Sequence, residues 1–361
     1  MRRLLALALI ALCATWSVPA ANPPSSYPVV VPDAPLRFPR DHGAHPAFRT
    51  EWWYLTGWLE GAGARPVGFQ ITFFRSRPAI DPANPSAFAP RQVLFAHAAL
   101  SDPARGKLVH DQRIARQGFG IAAAREDNTD IRLLDWRLDR RADGSFHAIV
   151  PARDFALDLR FVPTQPIMLN GDKGYSRKGT RPQEASYYYS VPHLAVAGTI
   201  VRGGKPVPVS GRAWLDREWS SNPLPPEAVG WDWTGINFDD GAALMAFQMR
   251  ARDGRALHAG GTYRSPDGMQ VALGAADVRF LPRRRWRSPE TGASYPVAAD
   301  FEIRLPGGAR RRIPLTPLFD AQEPDGRGAG MPVYWEGLVT TPGGRGYLEL
   351  TGYAGALTLN R

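Results

Sequence analysis

Two acids in the stretch AWLDREWSS, Asp216 and Glu218, stand between Trp214 and Trp219, and a third, Asp232, is bracketed by Trp231 and Trp233. A carboxyl group packed against aromatic rings loses water, which disfavours its ionised form and suits it to donate a proton. Asp216 is the foremost candidate for such a donor; the competing reading is a strand-end carboxylate paired with Arg212 or Arg217. His193 follows the tyrosine run Tyr187, Tyr188, Tyr189, and Glu51 precedes Trp52 and Trp53. The expected site therefore brings Asp216, His193 and Trp214 together at one cavity, with Tyr188, Trp52, Trp53, Trp219, Trp231 and Trp233 around it.

Several other chemistries lack their residues. The chain has no Gly-x-Ser-x-Gly elbow, no His-Glu-x-x-His helix and no phosphate-cradling glycine loop. Its histidines are scattered, with His42 and His45 the only close pair, so no metal and no cofactor are expected; His97 alternates with apolar residues and reads as a core histidine. The net charge of +10 comes almost wholly from arginine. The densest runs, Arg283 to Arg287 and Arg310 to Arg312, read as solvated strand edges, with an anionic membrane surface as the alternative partner. Nucleic acid is disfavoured, since no recognition motif is present.

The elements that must position these residues are strands. Alternating and aromatic runs are separated by Asp-Gly and Gly-Gly pairs, the chemistry of tight hairpins, and no convincing amphipathic helix longer than three turns appears. Ahead of the strands, residues 1–20 read as a cleavable export signal containing the only cysteine, Cys13, and residues 21–37 as a proline-rich tether. A periplasmic or secreted location follows.

The chain also repeats itself. EWWYLTGWLEGAGARPVGFQ at 51–70 aligns without a gap onto WDWTGINFDDGAALMAFQ at 231–248, matching Trp53 with Trp231, Gly57 with Gly235 and Gln70 with Gln248. GRAWLD at 211–216 resembles GRGYLE at 344–349, although only the first copy is followed by a charged, aromatic cluster. Units that open and close alike imply a duplication, with domains at 38–218 and 219–361. The irregular stretch 163–186 is long enough to be a functional loop.

Together, EWWYLTGWL, GFQITFFR, AHAALSD, SYYYSVPHLAVAGTI, GRAWLDREWSS, GWDWTGINFDDG and YWEGL resemble the AttH-like family, which is related to carotenoid 1,2-hydratase and often labelled as predicted secreted hydrolases. The resemblance spans about residues 36–357 and implies two lipocalin-like antiparallel β-barrels in tandem, with a hydrophobic ligand site near their junction. It further implies a metal-free and cofactor-free reaction in which an aspartate, matched here by Asp216, protonates an isoprenoid double bond. Trp214 falls where an aromatic is expected and His193 near the expected histidine, while Ala195 replaces a tryptophan of the hydratases. The alternative within the same resemblance is a non-enzymatic periplasmic carrier that serves the permease of an ABC exporter. A purely structural envelope protein is a third class.

Overall fold

The computed structural model describes residues 27–61, 65–81, 83–329 and 332–357; the expected export signal, Cys13 and the first part of the tether lie outside them. The described chain is almost entirely antiparallel strand, as the turn chemistry predicts, with three short 3-10 turns and no α-helix among the described residues. The first sheet takes β1 (Thr50–Glu60), β2 (Val67–Ser76), β3 (Val93–Asp102), β4 (Lys107–Arg116), β5 (Ala122–Ala124), β6 (Asp130–Leu133) and β7 (Trp136–Arg140). It continues with β8 (Phe146–Pro151), β9 (Phe155–Val162), β10 (Met168–Leu169), β11 (Tyr175–Arg177), β12 (Ala185–Arg202) and β13 (Lys205–Ser220). The second sheet takes β14 (Ala228–Phe238), β15 (Ala243–Ala251), β16 (Ala256–Arg264), β17 (Gln270–Leu273) and β18 (Val278–Arg287), then β19 (Ser294–Arg304), β20 (Arg310–Pro317), β21 (Trp335–Thr341) and β22 (Gly344–Leu350).

The first sheet runs in the order β4-β3-β2-β1-β13-β12-β9-β8-β7-β6-β5, with β10 and β11 paired to β12, and curls until β3 and β4 approach β6. It is a nearly closed barrel. The second runs β17-β16-β15-β14-β22-β21-β20-β19-β18, and β18 comes round to β15 and β16. In both, the opening strand of the repeat is flanked by its hairpin partner and by the closing strand, β1 by β2 and β13, β14 by β15 and β22. The architecture is two lipocalin-like barrels in tandem.

Residues alternate between the two faces of a strand, and here both faces are buried. Odd-numbered residues of β1 and β2, such as Trp53, Leu55, Phe69 and Phe73, fill the first barrel. Even-numbered ones, Tyr54 and Trp58 among them, pack with Trp214, Trp233, Met245, Leu338 and Tyr347 in a separate cluster between the barrels. Packing is close there: a Cβ on Gly68 would lie 2.7 Å from the Tyr347 hydroxyl and 3.0 Å from Leu338 Cβ, so a larger residue would have to displace Tyr347. The second barrel has its own core around Trp335, Phe301, Tyr295 and Leu348.

The gapless repeat needs a correction. Trp53 and Trp231 sit on equivalent strands but on opposite faces, because Trp53 points into the first barrel and Trp231 toward the junction. The register places Tyr54 opposite Asp216 and Trp233 opposite Glu349, so the residues that correspond across the junction are Trp52 with Trp231 and Tyr54 with Trp233. Gln70 and Gln248 are likewise on opposite faces, Gln70 bonding Tyr334 across the junction while Gln248 accepts from the Phe280 amide of β18. The hairpins also differ in length, residues 61–66 between β1 and β2 and 239–242 between β14 and β15, so no single offset aligns both strands.

Residues 27–37, read as a tether, lie against the first barrel. Val30 is buried, the Val31 amide donates to the Tyr187 hydroxyl, and Ser221 donates to the Pro28 carbonyl. The 163–186 stretch is ordered by the second barrel: Gln165 donates to the Gly241 carbonyl and the Gly171 amide to Thr262 Oγ1. The arginine runs lie on exposed faces of β18 and β20, where Asp300 pairs with Arg283 and Arg312, and Asp320 with Arg284.

Candidate active site at the barrel junction

Between the barrels lies a cavity of about 130 Å³, mostly apolar, whose walls include Trp52, Phe74, Trp231, Trp233 and Phe247. An engineered cavity of about 150 Å³ holds benzene, so this one has room for no more than a single ring or a branched five-carbon group.

Asp216 sits in its wall and is 2% exposed. Its Oδ1 accepts from Trp214 Nε1 at 2.6 Å and from Ser190 Oγ at 2.5 Å, and Asn170 Nδ2 in turn donates to that serine at 2.8 Å. Oδ2 faces the Tyr188 hydroxyl at 2.5 Å, and Trp233 Nε1 donates to the same hydroxyl at 3.0 Å. Burial pushes the acid up to about 7 and the negative charge of Glu218 adds to the rise, while the three hydrogen bonds oppose it. Since NH and serine donors hold Oδ1, a proton on the acid resides between Oδ2 and Tyr188. The strand pattern produces this arrangement directly: Trp214, Asp216 and Glu218 alternate onto the junction face of β13, and Tyr188 and Ser190 do the same on the neighbouring β12.

The arginine alternative does not hold. Arg217 points to the opposite face, where it stacks 3.8 Å from the Trp53 ring and pairs with buried Glu51, which Arg75 also pairs. Arg212 reaches His193 Nδ1 at 3.5 Å instead.

Of the expected site residues, Asp216, Trp214, Tyr188, Trp52, Trp231 and Trp233 meet at or beside the cavity. Trp53 and Trp219 do not: strand alternation turns them into the first barrel, where Trp219 stacks on His45 at 3.8 Å. His193 is also displaced. A register shift between Val191 and Leu194 puts it at φ 54, and its ring bonds the Ala242 carbonyl at 2.9 Å, away from Asp216. A bulge re-aims side chains in this way, and Pro192, which has no N–H to give to the ladder of this central strand, is the residue in YSVPHLA that marks it. Asp232, also raised by burial, to about 6, faces the second barrel; its Oδ1 accepts from the Tyr353 hydroxyl at 2.8 Å and lies 3.6 Å from Arg250, while its Oδ2 has no hydrogen-bond partner among the described residues.

Residues that the sequence reading did not assign complete the site. Glu349 occupies in β22 the place that Asp216 occupies in β13, faces the same cavity and accepts from Trp231 Nε1 at 3.0 Å. Burial and the nearby Asp216 and Glu218 charges push it up to about 7. The matching closing motifs signalled this equivalence, but the expectation that only the first copy carries a site obscured it. Glu336 is opposite Glu349 in β21, accepts from the Tyr54 hydroxyl at 2.5 Å and is raised well above the carboxylate range by burial and by Glu349. Lys178, one of few lysines in an arginine-rich chain, reaches in from the long loop to pair with Glu218 at 2.9 Å and to lie 4.5 Å from the Tyr188 ring. His97, read as a core histidine, is buried but lines the cavity.

Fold and site together define a tandem lipocalin-like protein with an acidic, aromatic cavity at its barrel junction. The sequence matches the AttH-like family model over residues 29–353, and the chain belongs to that family. Its structure is similar to the crystal structure of an AttH protein from Nitrosomonas europaea, at 50% identity and a TM-score of 0.83, covering 90% of this chain and 99% of that one. It shares its fold with kievitone hydratase from Nectria haematococca, at 12% identity and a TM-score of 0.66 over 94% and 98% of the two chains. No curated relative matches the sequence.

Proposed function

We propose that the protein binds the apolar end of an isoprenoid- or lipid-like molecule in the junction cavity and that Asp216 protonates it, hydrating a carbon–carbon double bond without metal or cofactor. The observation that carries this reading is a buried carboxyl group, pushed up to about 7, in the wall of an aromatic cavity. At neutral pH such a group holds a proton and gives it up readily, the balance that general acid catalysis needs. The proton leaves Asp216 as the alkene π pair forms a C–H bond. The cation left on the neighbouring carbon faces the rings of Trp52, Trp231 and Trp233, which favour positive charge. Water then forms the C–O bond and returns its surplus proton to the carboxylate. Protonation of an ester or ether oxygen at the same place is the corresponding hydrolysis.

The test is turnover of short prenyl compounds in ¹⁸O-labelled water. One labelled oxygen per product is expected from the native protein, with a loss of ~10²–10⁴-fold for Asp216→Asn. Recovery of unchanged compound from both proteins would sink the catalytic reading.

One observation favours a second reading, a carrier: both carboxyl oxygens of Asp216 already have partners within the protein. Under it the ligand is held and released unchanged, and the permease of an exporter is the partner served. Both readings place the protein beyond the cytoplasmic membrane, with the arginine-rich strands available to an anionic membrane surface.

A further inference from the structure

The other half of the cavity is as polar as the acid site and takes no part in the step above. Gln70 Nε2 donates to the Tyr334 hydroxyl at 3.0 Å, and His97 Nδ1 lies 3.0 Å from the same hydroxyl. Glu336 holds in β21 the register place that Ser190 holds in β12, and Tyr334 lies just before β21, two residues ahead of Glu336 as Tyr188 is of Ser190, so the duplication has built a second polar centre beside the first. Two of its atoms, Gln70 Oε1 and His97 Nε2, have no hydrogen-bond partner among the described residues, and the Glu336 carboxyl meets only the Tyr54 and Tyr334 hydroxyls. Gln70, His97 and Glu336 line the cavity and are buried, at 3%, 4% and 1% exposure. Buried polar atoms almost always find partners, and each one left without costs about 1–3 kcal/mol. Burial holds His97 at about 4, so its ring is neutral and Nε2 is not obliged to carry a charge.

We infer that this centre recognises a hydroxyl group, so that the ligand is an alcohol or phenol bearing an apolar branched end. The chemistry decides between polar groups. Gln70 Oε1 can only accept, so its partner must bring a hydrogen, which a carbonyl or ether lacks. A protonated Glu336 is a donor, and an alcohol oxygen can accept from it while donating to Gln70. A carboxylate would meet the charge field of Glu218 and Glu349 and is disfavoured. The inference rests on the proposed occupancy of the cavity by an apolar end, and adds the group that must sit beside it.

The test compares geraniol with its deoxy counterpart, 2,6-dimethylocta-2,6-diene, by quenching of tryptophan emission in the full-length protein. Geraniol is expected to bind at least about tenfold more tightly, a factor that corresponds to one hydrogen-bonded hydroxyl. The preference should fall to near parity in a Gln70→Leu, His97→Phe double variant and persist in Trp53→Phe, whose side chain faces the first barrel. Should the double variant fail to fold, Gln70→Met alone is measured, and a reduced preference is again expected. Equal binding of the two compounds to the native protein, or an undiminished preference in a folded variant, overturns the hydroxyl site while leaving the apolar ligand reading intact. Binding of neither compound overturns both.

Discussion

Replacing Asp216 by asparagine should make the protein more stable above neutral pH, an unusual outcome for a buried residue with three hydrogen-bonding partners. An unfolded aspartate titrates near 3.8, whereas burial raises the folded group to about 7. Between these values the native protein binds a proton that the unfolded chain does not, so stability contributed by this group falls as pH rises from about 4 to about 7 and stays low above it. A shift of about three units corresponds to roughly 4 kcal/mol of native-state cost at pH 8. Asparagine keeps the shape, can accept from Ser190 and Trp214, and can donate to the Tyr188 oxygen as the protonated acid does; like the protonated acid it gives up the bond that the Tyr188 hydroxyl donates, so it removes the charge with the same hydrogen-bond pattern as the neutral native group. Glu336, Glu349 and Asp232 are raised as well, and His42 and His97 are lowered, so the native protein's own pH profile is a composite. The difference between variant and native proteins cancels the contributions of groups that Asp216 does not perturb; Glu349, which the Asp216 charge helps to raise, is relieved in the variant and adds to the gain. Urea unfolding at pH 5 and pH 8 should show little difference at the lower pH and a gain of a few kcal/mol for the variant at the higher. A variant less stable by a similar amount at pH 8 would mean that Asp216 is ionised and held by its partners as a structural anion, and the acid-site argument would be refuted.

Other substitutions should separate the two faces of the strands. Glu51→Gln strands Arg75 and Arg217 without a counter-charge inside the first barrel and should cost about 3–5 kcal/mol in chemical unfolding; a near-neutral change would show that the cluster is hydrated. Trp52→Ala and Trp233→Ala should weaken ligand binding, measured by calorimetry, whereas Trp53→Phe and Trp219→Phe should leave affinity unchanged provided the fold is kept. His193→Asn, which tolerates positive φ, should leave both affinity and turnover within about twofold, because the ring bonds the Ala242 carbonyl and not Asp216; a large loss of turnover would restore a catalytic role for it.

Much of this was legible in the sequence, for reasons that can be named. Asp-Gly and Gly-Gly turns between aromatic runs can make little besides hairpins, and the paired openings and closings of the two units gave the tandem barrels. Asp216 was legible because its tryptophan, Trp214, sits at the same-face spacing of a strand. The assignments that failed are those that neglected alternation or passed over the break that Pro192 puts into a central strand. Trp52 and Trp53 cannot both face one cavity, and the bulge after Val191 turned His193 away. Glu336, Gln70 and His97 came from strands distant in sequence, and only the register that folds Tyr334 against β2 and β3 brings them together.

The protonation state of Asp216 is the centre of the account, and difference infrared spectroscopy of native protein minus Asp216→Asn measures it directly. A protonated carboxyl C=O band that is present at pH 6, titrates away near pH 7 and is missing from the variant is the predicted result; a carboxylate band at pH 5 in its place would contradict the account.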